Sequence, residues 1–179
     1  MTRLIKPGNG IDDLKLGESR KRALELFPPK AGTDQDREDS LGCNNAYHWV
    51  DTKNSPIGTL VIRFRTGKAF QIDSTTTRFH TAEGITVLTS PQAVRRHYKH
   101  LKAYILSEGS SEALGGRPLI YWMDSEGGIA FSFAYSKTTH SRYLYSITVF
   151  QPNADICPFV EPLGDSDKRE LPPYSLEAE

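Results

Sequence analysis

The sequence predicts an α+β fold: two tandem repeats, each a helix followed by antiparallel strands, forming one continuous antiparallel sheet with the helices on one face. Two observations support this prediction. Short motifs recur at a nearly constant offset along the chain. Apolar and polar residues alternate in several short segments, which is typical of strands with one buried face. The 179 residues suffice for one ordinary domain.

Each predicted repeat begins with a short motif that leads into a helix. Residues 14–19 precede a predicted helix over 20–27, and the similar residues 85–90 precede one that starts at Pro91. Both motifs end in a serine, a good N-cap because its hydroxyl accepts a bond from a free amide of the first turn. An apolar stripe extends the second helix further; it consists of Val94, Tyr98, Leu101 and Ile105.

Three strands are predicted after each helix. The first strands, 47–51 and 120–124, both contain Trp-x-Asp. The second and third strands carry alternating apolar residues: Leu60, Ile62, Phe64, Phe70 and Ile72 in one half, and Phe131, Phe133, Tyr135, Tyr145 and Ile147 in the other. The predicted boundaries are 1–82 for the first repeat, 83–150 for the second and 151–179 for a Pro-rich C-terminal tail, with both repeats in one compact domain.

The repeated motifs resemble the beta-lactamase inhibitory protein fold and, more distantly, the small outer-membrane assembly lipoproteins that share its single module. The residues that carry the likeness are Gly10-Ile11, Leu14, Leu16-Gly17 and Ser19 in one half and Gly84-Ile85, Val87 and Ser90 in the other. The resemblance covers residues 10–150. It implies an exported protein, periplasmic or secreted, that binds another protein on a concave sheet face. Disulfides within each repeat are a feature of that family that this chain lacks.

Charge and hydropathy disfavour several classes of partner. The 22 basic and 22 acidic residues give a net charge of zero. Sequence-independent nucleic-acid binding and attraction to anionic membranes both need a basic excess, so we expect neither. The sequence contains no apolar run of about 18 residues, so no transmembrane helix is predicted. The first residues do not resemble a secretory signal, so the protein is expected to be cytosolic or to have lost a leader.

The strands supply the predicted partner-binding residues. If the inward face of the second strand carries Leu60, then Arg63 and Arg65 point outward. The face of the first strand is ambiguous, and one of its two registers exposes aromatic residues. Tyr, Trp and Arg are the residues that anchor protein interfaces. The predicted binding surface is therefore Tyr47, Trp49, Arg63, Arg65 and Trp122. The alternative is that both tryptophans belong to the core.

The two cysteines, Cys43 and Cys157, form a candidate disulfide. Cys43 lies just before the first strand and Cys157 just after the last, so a tail folded back across the sheet would bring them together. The bond would contribute about 4–5 kcal/mol in the chain-entropy model. The alternative is two separate thiols.

The remaining patterns do not predict chemistry. His97 and His100 are three positions apart, but the surrounding cations would repel a metal ion, so no metal site is predicted. No nucleophile motif or phosphate-binding glycine loop occurs. The leading hypothesis is a monomeric, non-catalytic, inhibitor-like module that needs no cofactor and binds an unknown protein partner on the open face of its sheet, the face without helices. The alternatives are a carrier of a small apolar ligand or lipid, with an aromatic pocket between helices and sheet, and an enzyme of unrecognised type.

Overall fold

The structure is a computed structural model that describes residues 3–29, 36–37, 45–52, 58–105, 115–157 and 169–176. Strands are the predominant secondary structure of the described chain, and its two α-helices have seven residues each. In the chain segments given above, no helix is long and apolar enough to cross a membrane.

A large antiparallel sheet forms the body of the molecule. Its strand order is β13-β9-β10-β11-β12-β7-β6-β5-β4. The strands are β4 (Asp36–Arg37), β5 (Ala46–Asp51), β6 (Gly58–Arg65), β7 (Lys68–Ser74), β9 (Lys102–Ile105), β10 (Ile120–Asp124), β11 (Ile129–Ser136), β12 (Ser141–Phe150) and β13 (Arg169–Leu171). The predicted antiparallel sheet is thus confirmed.

The centre of this sheet is the pairing of β12 with β7. Only the last part of β12 takes part, with Ile147 opposite Ser74 and Phe150 opposite Gln71. The first part of β12, from Ser141, pairs with β11 but not with β7. Strand β7 ends at Ser74, so the start of β12 extends beyond it.

A smaller mixed sheet, with the strand order β3-β2-β1-β8, packs against the core of the main one. It comprises β1 (Leu4–Lys6), β2 (Gly10–Ile11), β3 (Leu14–Lys15) and β8 (His80–Thr81). Strands β1 and β8 pair in parallel, and the other neighbours are antiparallel.

The two helices, α1 (Arg20–Leu26) and α2 (Pro91–His97), begin where their caps predict. The Ser19 hydroxyl accepts a hydrogen bond from Arg22 N, and the Ser90 hydroxyl accepts one from Ala93 N. Both predicted N-caps are confirmed, because each serine satisfies an amide that has no partner within its helix.

The predicted extension of the second helix is wrong. Tyr98 already has an extended backbone (φ −108°, ψ 103°), and β9 begins at Lys102. Strand β9 pairs along its length with β10, with Ile105 opposite Ile120. The apolar stripe that predicted a longer helix is instead divided between α2 and β9. Pairing of β9 with β10 overrides the weak local preference for a helix.

The first face of the main sheet carries the larger core. Helices α1 and α2 contribute Ala23 and Val94 to it, and the smaller sheet contributes residues such as Ile5. The inward residues predicted for the second strands, including Leu60 and Phe131, are buried here. Period-two alternation therefore identified this face correctly.

The second face of the sheet is also buried, so the prediction of an open face is wrong. A separate apolar cluster on β9–β12 includes Tyr121, Met123 and Phe150. Between this cluster and β6, the buried residues are polar, and Gln71 and Asp73 are completely inaccessible to solvent. Ile156, beyond the last predicted strand, packs against the apolar cluster.

These findings overturn the predicted α+β fold of two helix-plus-strand repeats. The chain is mostly β, with a large antiparallel sheet and a smaller mixed one, and two short helices. The element order is also not the predicted one, since β8 and β9 intervene between β7 and β10. The similarity of the two N-cap motifs reflects a shared local structure rather than repeated helix-plus-strand units.

The last described residues, 169–176, belong to the folded body. Strand β13 pairs with β9, and Tyr174 and Leu176 pack against the larger core. The predicted boundaries at 82, 83, 150 and 151 stay predictions.

Candidate functional site

The structure places Tyr47 and Trp49, two of the predicted partner-binding residues, inside the core. They expose 3% and 5% of their surfaces. In the β5–β6 register, Tyr47 is opposite Ile62 and Trp49 is opposite Leu60. Directly paired residues lie on the same face of a sheet. The expectation that these aromatic residues point away from the core is therefore wrong.

Trp122 is buried on the same first face, with 2% of its surface exposed. It is opposite Phe131 on the neighbouring strand. Its ring centroid lies 4.4 Å from that of Phe133 and 5.3 Å from that of Tyr174. The indole Nε1 donates to the carbonyl oxygen of Ser175 at 2.9 Å. The alternative interpretation, that both tryptophans are core residues, is confirmed.

Arg63 points to the second face, as predicted, but it is buried there. Its Nε lies 3.2 Å from Asp73 Oδ2 in an ion pair. The same carboxylate accepts hydrogen bonds from Gln71 Nε2 at 2.9 Å and from Thr148 Oγ1 at 2.7 Å. Arg63 is therefore part of the interior of the protein rather than of a contact surface.

Gln71 also attaches the segment after β12 to the sheet. Its Nε2 donates to the Cys157 carbonyl oxygen at 2.8 Å, and its Oε1 accepts from Cys157 N at 2.7 Å. This paired arrangement imitates the backbone pairing between strands. Cys157 is disulfide-bonded, whereas Cys43, its predicted partner, lies outside the described residues. Their pairing stays a prediction.

Arg65 is the only one of the five predicted binding residues that is exposed. Its guanidinium carbon lies 4.5 Å from the centroid of the Phe70 ring. The five residues are thus not brought together, because the three aromatic residues lie on the first face of the sheet and Arg63 lies on the second. No common surface joins them.

A different surface stands out around Leu88. Within the described segments, Leu88 is the one exposed large hydrophobic residue, with 55% of its surface accessible. Its φ of 69° is in the left-handed region, which a leucine rarely adopts. The Leu88 amide donates to the Leu144 carbonyl oxygen at 2.8 Å. This bond fixes the residue beside the part of β12 that is not paired with β7.

Leu88 lies between two surface depressions. One has a volume of about 480 Å³ and includes Tyr135, Lys137, Thr139 and Tyr143 in its lining. The other has a volume of about 540 Å³ and includes Gln92, His140, Arg142, Tyr143 and Leu176. We call Leu88 and these two depressions the Leu88 surface.

The charged groups of the Leu88 surface are cationic. Lys137 is exposed on its rim, Arg142 lines one depression, and no Asp or Glu occurs among the described residues that line either depression. Nearby, the Arg117 guanidinium carbon lies 4.1 Å from the centroid of the Tyr135 ring. An apolar projection flanked by tyrosines and cations is suited to binding a protein surface that carries carboxylates.

The sequence contains a signal for Leu88 that pattern reasoning missed. Leu88 and Gly17 each lie two positions before an N-cap serine. Gly17 has a φ of 86° and donates through its amide to Ala69 O at 2.7 Å. The two residues thus occupy the same local geometry. A glycine adopts it without strain, whereas a leucine does not.

Among the described residues, three side chains have altered pKa values, and they lie outside this surface or at its margin. Burial, together with the neighbouring Tyr143, raises the pKa of Tyr145 to about 12. Burial also raises the pKa of Tyr98, which donates to Glu83 Oε2 at 2.9 Å. For Glu83, burial acts to raise the pKa, but hydrogen bonds from Thr81 and Tyr98 outweigh it and lower the pKa. These shifts are explained by packing and hydrogen bonding.

The histidines considered for a metal site do not share a helix face. His97 is the last residue of α2, and His100 follows the helix. In the parts of the chain with described placement, no group of three or more His, Cys, Asp or Glu residues could hold a metal ion.

Comparison with known proteins gives no family for this chain. No family model matches it, and no curated protein matches it. A solved structure of a cysteine-rich secretory protein from Staphylococcus aureus is similar with a TM-score of 0.42 and 12% identity, covering 82% of this chain and 48% of that chain. So weak a likeness supports no inference about function. It does not point to the beta-lactamase inhibitory protein fold, and that predicted resemblance is wrong.

Proposed function

We propose that this chain is a non-catalytic protein-binding module and that the Leu88 surface is its binding site. One observation carries the proposal: Leu88 is both exposed and held at a positive φ. A left-handed backbone costs a residue with a side chain about 1–2 kcal/mol. Since the side chain is largely exposed, packing within the chain offsets little of this cost.

Local strain of this kind is typical of sites that bind or react. Here it directs a leucine side chain outward between two depressions, where a partner could enclose it. Burying a fully exposed leucine contributes about 1.5–3 kcal/mol, and Leu88 has 55% of its surface left to bury. Enclosing it in a partner would thus contribute roughly half of that figure, which is similar in size to the cost of the strained backbone.

The surroundings of Leu88 indicate the chemistry of the partner. Tyr135 and Tyr143 are half-buried, so each offers an apolar ring to a partner with little further loss of side-chain freedom. Lys137 is exposed beside them, as is His140. The partner is therefore a protein with an apolar pocket for Leu88 and a carboxylate near Lys137.

The space between helices and sheet favours this proposal over a carrier of apolar ligands. The carrier hypothesis needs a pocket there. Core side chains occupy that space instead, with the Phe27 ring centroid 5.4 Å from that of Trp49 and the Tyr98 ring centroid 4.8 Å from that of Phe131.

Site-specific photocrosslinking in the native cell tests the proposal. A photoreactive amino acid is placed at Thr139, in one depression, or at Gln92, in the other. The control position is the exposed Gln151, just past the opposite end of β12. We expect a discrete protein adduct from position 139 or 92 that is absent from position 151.

The same experiment with Leu88→Gly gives the decisive comparison. The expected result is loss of the adduct, because glycine keeps the backbone geometry but removes the side chain. Adducts that persist unchanged in Leu88→Gly would rule out Leu88 as the anchor. The same applies if positions 139 and 92 give no adduct.

A further inference from the structure

The C-terminal segment, residues 169–176, occupies a groove that has the features of a peptide-binding site. We propose that this groove is a strand-exchange site that binds the same segment from a second copy of the chain. This inference does not rest on the proposed function, because it is argued from the contacts of the segment and concerns a different partner, although Arg142 and Leu176 belong both to this groove and to the lining of one Leu88 depression.

The first feature of the groove is an edge strand. Strand β9 pairs with β10 on one side and with β13 on the other, with Arg169 opposite Ile105 and Leu171 opposite Ala103. Without β13, the backbone groups of β9 that point away from β10 would be unpaired, and an unpaired edge readily accepts an added strand. Addition of an extended peptide to a sheet edge is a common mode of peptide recognition.

The second feature is recognition of the segment's backbone by side chains of the groove. Trp122 Nε1 donates to Ser175 O at 2.9 Å, and Arg142 Nε donates to Leu176 O at 2.6 Å. Arg142 also donates to Pro118 O at 2.8 Å, so its side chain is fixed before the segment arrives. These donors are therefore preorganised for a peptide backbone.

The third feature is an aromatic anchor. The Tyr174 ring lies edge-on to Trp122 at 5.3 Å between centroids, and the Arg95 guanidinium carbon lies 4.9 Å from the Tyr174 ring centroid. The Tyr174 hydroxyl donates to Tyr98 O at 3.0 Å. Both the ring and the hydroxyl of Tyr174 are thus recognised, as expected of a residue that anchors a bound peptide.

The length of the connecting chain permits exchange. Cys157 is held beside Gln71 of β7, whereas β13 lies five strands away in the sheet order. Five strand spacings amount to about 24 Å. The twelve residue steps from 157 to 169 can extend to about 40 Å. The connection is longer than the intramolecular path requires, so a neighbouring copy can be reached.

Mass action decides when the exchanged form appears. A tethered segment has an effective concentration of roughly millimolar. The segment from a second copy makes the same contacts, so it competes only when the protein concentration approaches that value or the chain's own segment is weakened. We therefore expect monomers at micromolar concentration and exchanged dimers near millimolar concentration.

A peptide-binding experiment on the full chain tests the groove directly. The probe is a fluorescent synthetic peptide with the sequence of residues 168–179. The receptor is the full chain with Tyr174→Ala and Leu176→Ala, which weaken its own segment, and fluorescence anisotropy reports binding. We expect saturable binding at least about tenfold tighter than to the unaltered chain, because the competing segment is weaker.

Two controls make the outcome decisive. The peptide carrying Tyr174→Ala should bind at least about tenfold more weakly, since it lacks the anchor. Near-ultraviolet circular dichroism confirms that the receptor is folded. A folded receptor that does not bind the peptide at about millimolar concentration, or binds both peptides equally, would overturn the proposal.

Light scattering of the full chain tests whether the partner is a second copy. At about millimolar concentration, the unaltered chain should contain dimers, and the Tyr174→Ala, Leu176→Ala chain should contain fewer. Dimers unaffected by these substitutions would show a different interface, and a purely monomeric unaltered chain would exclude exchange.

Discussion

At the scale of single residues, Asp73 organises the polar interior of the second face. It is completely buried and accepts hydrogen bonds from Arg63, Gln71 and Thr148. Removing one partner of a buried ion pair leaves the other charge without compensation in a medium of low dielectric constant. The stability of this region therefore depends on the complete network rather than on one pair.

Asp73→Ala is expected to lower the free energy of unfolding by about 3–5 kcal/mol, measured by urea denaturation. The matched control is Glu25→Ala, which removes the surface pair between Arg22 and Glu25. That pair is half exposed, so its loss should cost at most about 0.5 kcal/mol. Equal effects of the two substitutions would contradict the assigned role of Asp73.

Tyr145 makes stability dependent on alkaline pH. Its pKa is raised from 10.0 to about 12, chiefly by burial. The fold therefore favours the neutral phenol. The contribution of this phenol to the free energy of unfolding is complete below pH 10 and is lost as pH rises toward 12. Urea denaturation between pH 8 and pH 11 should show a decline above pH 10 that is shallower in Tyr145→Phe. An identical decline in both proteins would exclude this contribution.

At the scale of secondary-structure elements, Trp122 connects strand β10 with the C-terminal segment. It packs on Phe133 within the sheet and on Tyr174 of the segment. Strand β9 lies between β10 and β13, so the contacts of Trp122 reinforce the pairing at that edge. A large side chain at this position supports several elements at once.

Trp122→Ala is expected to destabilise the protein by about 3–5 kcal/mol, as is usual for removal of a large core side chain. Arg65→Ala, at an exposed position, should change stability by at most about 0.5 kcal/mol. Thermal denaturation of both variants checks the difference. A negligible effect of Trp122→Ala would mean that Trp122 is not part of the core.

The elements also show what the sequence could and could not predict. Alternation located β6 and β11 and the inward side chains of β6, because one residue in two faces the same core. The face of Trp49 depends on the pairing register of β5, and a shift by one residue reverses it. The end of α2 was missed because the strand that follows continues the apolar spacing of the helix.

At the scale of the whole molecule, the main sheet has buried side chains on each face, which explains why its described strands offer no broad face to a partner. Alternation cannot distinguish an outward polar residue from one in a buried network, so Arg63 looked exposed in the sequence. The sequence did not predict the candidate site either, although Leu88 and Gly17 occupy equivalent positions in the two aligned motifs. Only the geometry showed that both residues have a positive φ.

Leu88 affects both the stability of the fold, through its strained backbone, and the proposed binding, through its side chain. Leu88→Ala and Leu88→Gly both remove the side chain, but only alanine keeps the backbone strain. Leu88→Gly should therefore be more stable than Leu88→Ala by about 1 kcal/mol, measured by urea denaturation. Gly17→Ala, at the corresponding geometry, should lose a similar amount.

The central claim is that Leu88 is held outward to bind a protein. The most direct test is titration of the crosslinked partner, once purified, with the unaltered chain and with Leu88→Gly. The account predicts that affinity falls at least about tenfold, or about 1.4 kcal/mol, while the variant remains folded. An unchanged affinity of a folded Leu88→Gly protein would contradict the account.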